Sequence, residues 1–129
     1  MQEGGDETQV TVLIADDDPI VRHVLRTIIE SEPALQLCGE ASDATEAAEL
    51  AREHRPMVAV LDWMMPKGGG PQAALAITRD LPDTKLIGLT SSDSEEASLE
   101  MLRAGAKSFL IKGASRDEIV TTILDSLRF

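Results

Sequence analysis

Val10-Thr-Val-Leu-Ile-Ala-Asp-Asp-Asp-Pro19 decides the fold. A β-branched, apolar run stops abruptly at three acids and a proline, which predicts a buried strand followed by a polar loop. Pro19 fits the first turn of a helix, with Asp18 as its N-cap. Val21, Val24, Leu25, Ile28 and Ile29 then recur at helical spacing, and Glu32-Pro33 stops the helix.

Strand-like runs and helical patterns alternate along the rest of the chain. Leu35–Cys38 predicts a second short strand, with Gly39 after it. Asp43 and Glu46 stand at capping-box spacing and open a helix with a stripe of Ala44, Ala47, Ala48 and Ala51, small enough for close packing. Pro56 follows its end. Met57–Leu61 is apolar on consecutive residues, so it predicts a third strand covered on both faces, ending at Asp62. A loop with Pro66, Gly68, Gly69, Gly70 and Pro71 leads to a third helix from about Pro71 to Asp80. Those glycines read as a turn, because the GxxxxGK[ST] phosphate-cradle pattern is missing. Lys85–Leu89 predicts the fourth strand, with Thr90, Ser91 and Ser92 at its end. Asp93 and Glu96 open a fourth helix that Gly105 closes. Ser108–Ile111 predicts the fifth strand, ending at Lys112, and Ser115 with Glu118 opens a last helix striped by Val120, Ile123, Leu124 and Leu127.

Strand and helix thus alternate strictly, which implies a parallel sheet covered on both faces. Right-handed crossovers limit the topology to a doubly wound sheet. The expected fold is α/β, (βα)5, five-stranded and flavodoxin-like, with strand order 2-1-3-4-5. Residues 1–9 are acidic and poor in apolar side chains, and are expected to be a disordered lead-in to one domain over residues 10–129.

Composition narrows the function. The 129 residues carry 12 Lys and Arg against 23 Asp and Glu, a formal charge of −11. Phosphate backbones are bound by clustered Lys and Arg, so direct nucleic-acid binding and attachment to an anionic membrane are disfavoured. Aromatics are only 2% with no Tyr, so the core is aliphatic and stacking platforms for bases are lacking. The single Cys38 forms no internal disulfide, and a reducing cytoplasm is the expected compartment. The longest apolar runs, Met57–Leu61 and Ala73–Ile77, are five residues, too short for a membrane span. His23 and His54 fall on helices without a paired ligand and are expected at the surface.

In such a sheet, ligands bind outside the carboxyl ends of the strands. Strand one ends in Asp16 and Asp17, strand three in Asp62, strand four in Thr90 and strand five in Lys112. Strand two is expected to contribute nothing chemical. Three carboxylates cannot sit together ionised without a compensating cation. Lys112 supplies one charge, and a hard divalent ion, Mg²⁺ by preference, would supply the rest. A carboxylate can also act as a nucleophile toward phosphorus, with cations holding the phosphoryl oxygens.

At these residues the chain resembles the receiver domains of bacterial two-component response regulators. The matching pieces are Val12–Pro19, Val60–Pro66, Leu89–Ser91 and Phe109–Gly113, supported by Gly39–Ser42 and Arg103–Ala106. The resemblance implies that Asp62 is the phosphoacceptor and that Asp16, Asp17 and Asp62 hold Mg²⁺ together with the backbone carbonyl of Met64. It implies that Thr90 moves its hydroxyl to the phosphoryl group, that Phe109 is the switch aromatic and that Lys112 pairs with a phosphoryl oxygen. The donor would be a sensor histidine kinase or a phosphotransfer protein. The output would be a shift in the face of helix four, strand five and helix five. Homodimerisation through that face or through helices one and five would fit. Asp18–Arg22 and Leu37–Ser42 look like receivers joined to LuxR-type helix-turn-helix output domains, which implies control of transcription by a parent protein. Gly113 stands where many receivers have proline, and a cis bond away from proline is costly. Trp63 beside Asp62 is unusual, and the apolar Met64 is expected to hinder water attacking a phosphorylated Asp62.

Three other readings compete. A haloacid-dehalogenase-type phosphatase wants a second acid two residues after its nucleophile, where this chain has Met64. A flavin module wants a hydroxyl-rich phosphate loop where the acidic triplet stands. A degenerate receiver would act as an interaction module alone, against which Asp16, Asp17, Asp62, Thr90 and Lys112 are all intact.

Overall fold

Val10 and Val12 through Ala15 are all buried, as a central parallel strand requires. They form β1 (Val10–Ala15) in a computed structural model that describes residues 9–91 and 95–128. The order continues with α1 (Pro19–Glu30), β2 (Leu35–Ala41), α2 (Ala44–His54), β3 (Val58–Asp62), α3 (Gly69–Asp80), β4 (Lys85–Thr90), α4 (Glu95–Arg103), β5 (Ala106–Ile111) and α5 (Arg116–Asp125). The five strands make one parallel sheet in the order β2-β1-β3-β4-β5, the expected doubly wound arrangement.

Side chains alternate across each strand and divide the core in two. Val12, Ile14, Val58, Val60, Ile87, Leu89 and Leu110 pack under α1 and α5, against Leu25, Ile29, Ile119 and Ile123. Leu13, Ala15, Ala59, Leu61 and Leu86 pack on the other face, against Ala44, Ala47 and Ala51 of α2, Ala73, Ala74 and Ile77 of α3, and Met101 of α4. The alanine stripe of α2 is therefore packing, as its spacing predicts.

The helix starts follow their caps. The Asp18 carboxylate accepts the Ile20 N–H at 2.9 Å, with Pro19 in the first turn. Asp43 accepts the Glu46 N–H at 2.8 Å, and Glu46 reaches back to the Ser42 N–H at 2.8 Å, one residue earlier than a standard capping box. Ser115 accepts the Glu118 N–H at 3.1 Å. The expected cap Asp93 and the neighbouring Ser92 lie outside the described residues, as do residues 1–8 of the expected lead-in and Phe129. Gln9 of that lead-in is described, and its side chain donates to the Pro33 carbonyl at 3.0 Å.

Several boundaries differ from the sequence pattern. β3 starts at Val58, leaving Met57 43% exposed, and includes Asp62. β4 likewise takes in Thr90, β2 runs on to Ala41, and β5 starts at Ala106 because pairing with β4 extends it. α3 starts at Gly69, two residues before Pro71, where the Gly70 N–H meets the Trp63 carbonyl at 3.3 Å. Val24 was expected on the buried stripe of α1 but is 48% exposed, because the helix turns Leu25 and Ile29 onto the sheet and leaves Val24 at its edge. His23 and His54 are exposed, as expected. No cis peptide occurs among the described residues, and Gly113 has φ 96°. No described helix is long and apolar enough to cross a membrane.

Gly88 marks the tightest approach between β4 and a helix. A Cβ built there would overlap the side chain of the fully buried Met101 on α4. Gly88→Ala is therefore expected to destabilise the domain by about 1–3 kcal/mol, the usual cost of overpacking. Met101→Ala alone should cost about 2–5 kcal/mol through the cavity it leaves. Since the new methyl partly fills that cavity, urea unfolding of the double variant should show a loss smaller than the sum of the two. An additive loss would overturn this packing account.

Candidate functional site

The alternation that divides the core also sorts the residues at the strand ends. Val12 and Ile14 face α1 and α5, so Asp16 follows them onto that side. Val58 and Val60 carry Asp62 there, and Leu110 carries Lys112, just beyond β5. Leu86 faces the opposite side, and Thr90, four residues on, shares its side with Phe109. Two carboxylates and an ammonium thus converge from three strands, while the hydroxyl and the aromatic ring fall together on the α4 side.

Asp16 is fully buried and Asp62 nearly so, whereas Asp17 is exposed. The Lys112 ammonium lies 2.9 Å from Asp16 Oδ2 and 3.4 Å from Asp62 Oδ1. Its backbone is fixed as well, because the Lys112 N–H donates to the Thr90 carbonyl at 2.7 Å. Asp16 Oδ1 accepts the Asp18 N–H at 2.8 Å, and Asp62 Oδ1 accepts the Met64 N–H at 3.2 Å. Among the described residues, the Lys112 ammonium is the partner of the buried Asp16 Oδ2.

Charge follows this geometry. Burial pushes the Asp62 carboxyl above its ordinary value; the Met64 N–H and Lys112 oppose that rise, and the Asp16 carboxylate adds to it. Burial by itself would lower the Lys112 ammonium, but the Asp16 and Asp62 carboxylates outweigh it and hold the group above its usual range. Asp16, Asp17 and Asp62 each present a carboxylate oxygen, all within 4.8 Å of one another. One ammonium does not balance three such groups. The all-oxygen donor set of Asp16, Asp17 and Asp62 fits a hard divalent cation such as Mg²⁺.

Around this centre the expected residues divide. Thr90 is buried at the end of β4. Phe109 is half-buried and packs against the α2–α4 side of the core. The Met64 side chain is 81% exposed beside Asp62.

Two arrangements lie outside what the strand-end residues predict. Trp63 is buried, and its indole N–H donates to Glu100 on α4 at 2.7 Å. Its ring fills the space that a Cβ at Gly70 would occupy, so the glycine run serves close packing here as well as turning. Arg22, on the first turn of α1, donates to the main-chain carbonyl of Asp16 at 2.7 Å and pairs with Glu40 of β2 at 3.6 Å. β2 therefore borders the site through Glu40, which touches Arg22 and Arg26, and it places no carboxylate in the Asp16, Asp17 and Asp62 cluster. The signal was present in the two stretches Asp18–Arg22 and Leu37–Ser42, which hold both partners but do not pair them.

Comparison with known proteins fits this architecture. The family model for the response regulator receiver domain matches residues 12–124. The transcriptional regulatory protein YxjL of Bacillus subtilis (strain 168) is 36% identical over 120 residues, covering 93% of this chain and 55% of that protein. The chain thus spans about half the length of such curated relatives. Among solved structures, the signal receiver domain of NarL from Mycobacterium tuberculosis superposes with a TM-score of 0.88 at 34% identity, covering 93% of this chain and 97% of that one. A two-component response regulator of the LuxR family from Aurantimonas sp. SI85-9A1 gives 0.86 at 31% identity, covering 92% and 85%. With the sheet order, the matched span and these likenesses in agreement, the chain belongs to the response-regulator receiver domains.

Proposed function

We propose that this receiver accepts a phosphoryl group on Asp62 from a phosphohistidine of a sensor kinase or phosphotransfer protein, and passes on the signal through an altered surface. The observation that carries the reading is Lys112 held between the two buried carboxylates, 2.9 Å from Asp16 and 3.4 Å from Asp62. A carboxylate oxygen of Asp62 attacks phosphorus, the P–N bond to histidine breaks, and the imidazole keeps the bonding pair and takes up a proton. Asp16, Asp17, Asp62 and the Met64 carbonyl would hold Mg²⁺, which supplies charge neutralisation for the phosphoryl oxygens. Lys112 gives up Asp62 as a partner and pairs with a phosphoryl oxygen instead. Thr90, at the next strand end, brings its hydroxyl to another oxygen. That movement leaves room on the α4 side, where the half-buried Phe109 turns inward. The only reactions the chain assists are its own phosphorylation and dephosphorylation.

Other features support the partners in this reading. Ile20 is 72% and Val24 48% exposed, and both line an apolar groove that includes Ile111, Lys112 and Gly113. An apolar patch next to the acceptor suits a protein donor rather than a nucleotide. The same α1 and α5 edge and the α4–β5–α5 face are the two surfaces on which an activated homodimer would form. The likeness to LuxR-family regulators supports a transcriptional output if a DNA-binding domain is attached in the full protein. At −11, this domain is itself poorly suited to binding DNA. A cytoplasmic location follows from the kinase that the reading requires.

Three measurements check the reading. Acetyl phosphate or beryllofluoride with Mg²⁺ should add the expected mass or change the Trp63 emission in the parent, with no change in Asp62→Ala. Equal behaviour of the two would overturn the assignment of Asp62. If Met64 hinders water, Met64→Asn should shorten the life of the phosphorylated state, and an unchanged lifetime would remove that role. The third is a pH dependence. The folded state raises the Asp62 pKa, so ionising this group costs stability as pH rises from the ordinary carboxylate value through the raised one. In a chelator, Asp62→Asn should therefore melt higher than the parent at neutral pH, with the gap closing in acid. A gap that is constant with pH would contradict a raised Asp62.

A further inference from the structure

Each polar group of Asp16 meets another residue, and most of these partners come from distant parts of the chain. Its N–H donates to the Ala41 carbonyl at the end of β2, at 3.0 Å. One carboxylate oxygen takes the Asp18 N–H and the other faces Lys112. Its carbonyl takes the Arg22 guanidinium at 2.7 Å. Arg22 sits on the first turn of α1, where the helix dipole opposes a cation, and its side chain turns back past the helix start to reach Asp16. What holds it there is Glu40 on β2, 3.6 Å from Arg22 and also ion-paired with Arg26 one turn further along α1. Arg26 in turn meets His23 Nδ1 at 3.0 Å. All three side chains of the Arg22, Glu40 and Arg26 group are partly covered.

We propose that Arg22 and Glu40 are positioning residues for the metal site. The Arg22 guanidinium, anchored on β2 by Glu40, fixes the peptide that joins Asp16 to Asp17 and so aims both carboxylates. This inference rests on the reading of Asp16, Asp17 and Asp62 as the Mg²⁺ ligands. The peptide in question links two of the three, and it bends sharply, from the end of a buried strand into an exposed loop within one residue. A planar fork that meets one carbonyl and one carboxylate at once suits this task better than an ammonium does. Glu40 has a second effect. It offsets part of the charge that Arg22 and Arg26 carry, so the anchor adds less repulsion toward a cation at the site than two unpaired guanidinium groups would.

Charge and positioning predict opposite signs. If Arg22 acted only as a nearby positive charge, Arg22→Met would tighten Mg²⁺ binding and Arg22→Lys would leave it unchanged. If it positions the ligands, both variants weaken binding, by about tenfold for Arg22→Met, the usual scale for a group that orients a metal ligand. Glu40→Gln should also weaken binding, and adding it to Arg22→Met should have no further effect, because the two act as one unit.

The experiment titrates Mg²⁺ against the emission of Trp63, the only tryptophan, in the parent and these variants, with Asp17→Asn as a ligand-loss control. The amide ¹⁵N shift of Asp17, which belongs to the same peptide as the Asp16 carbonyl, is read in metal-free protein. Weaker binding in both Arg22 variants, with a moved Asp17 shift and an unchanged urea midpoint in Arg22→Lys, is the expected result. A parent that binds Mg²⁺, with Arg22→Met and Arg22→Lys binding as tightly or tighter, overturns the positioning role alone. A parent that binds no Mg²⁺ overturns the metal reading together with it. If Arg22→Met fails to fold, Arg22→Lys and Glu40→Gln decide on the same criteria.

Discussion

Two carboxylates buried at one edge of a sheet are the constraint on which the rest of this structure depends. At an effective dielectric of about 20, two like charges 4 Å apart repel by about 4 kcal/mol. A domain of this kind is stable by only about 5–15 kcal/mol, so Asp16 and Asp62 cannot both be ionised and uncompensated. The Lys112 ammonium between them is the compensation, and backbone pairing fixes the point from which its side chain reaches them. β5 pairs with β4 through Thr90 and Ile111, and the Lys112 N–H closes on the Thr90 carbonyl. The sheet therefore delivers the cation by backbone pairing.

How much of this is legible in the sequence depends on the range of the interaction involved. Strands one, three and four announce themselves because each is an apolar run that ends at a polar residue, and burial on both faces demands such runs. The caps at Asp18, Asp43 and Ser115 are legible for the opposite reason, since a cap is a contact over two or three residues. The convergence of Asp16, Asp62 and Lys112 follows from strand order and period-two alternation, both of which the pattern supplies. Val24 misleads because a helical stripe has edges, and spacing alone does not say which residue falls at one. The Arg22–Glu40 and Trp63–Glu100 contacts are illegible for a different reason. Each joins residues on separate elements, 37 positions apart in the second case, and no local pattern fixes how two elements rotate against each other.

The net charge gains a location. A value of −11 disfavours polyanionic partners by its sign alone. The structure places three of those acids where they repel one another, and it sets Glu40 and Glu100 to hold the side chains that surround them. Acids thus serve two opposite purposes around one edge. Asp16, Asp17 and Asp62 form a deficit of positive charge, while Glu40 and Glu100 tie down a guanidinium and an indole.

Asp62 stands where these ties meet. On one side, Asp16 is held through β2 and α1. On the other, Trp63 follows Asp62 directly: its N–H donates to the Leu89 carbonyl, its carbonyl takes the Gly70 N–H, and its indole reaches Glu100. One residue after the proposed acceptor therefore touches β4, the start of α3 and the middle of α4. The Trp63 ring is buried and packs so closely on Gly70 that a Cβ there would overlap it. The same arithmetic that makes charge at Asp62 costly thus acts on a rigid neighbour rather than a loose loop. Trp63 and Lys112 are thus the two residues through which this edge is tied to β4, β5, α3 and α4.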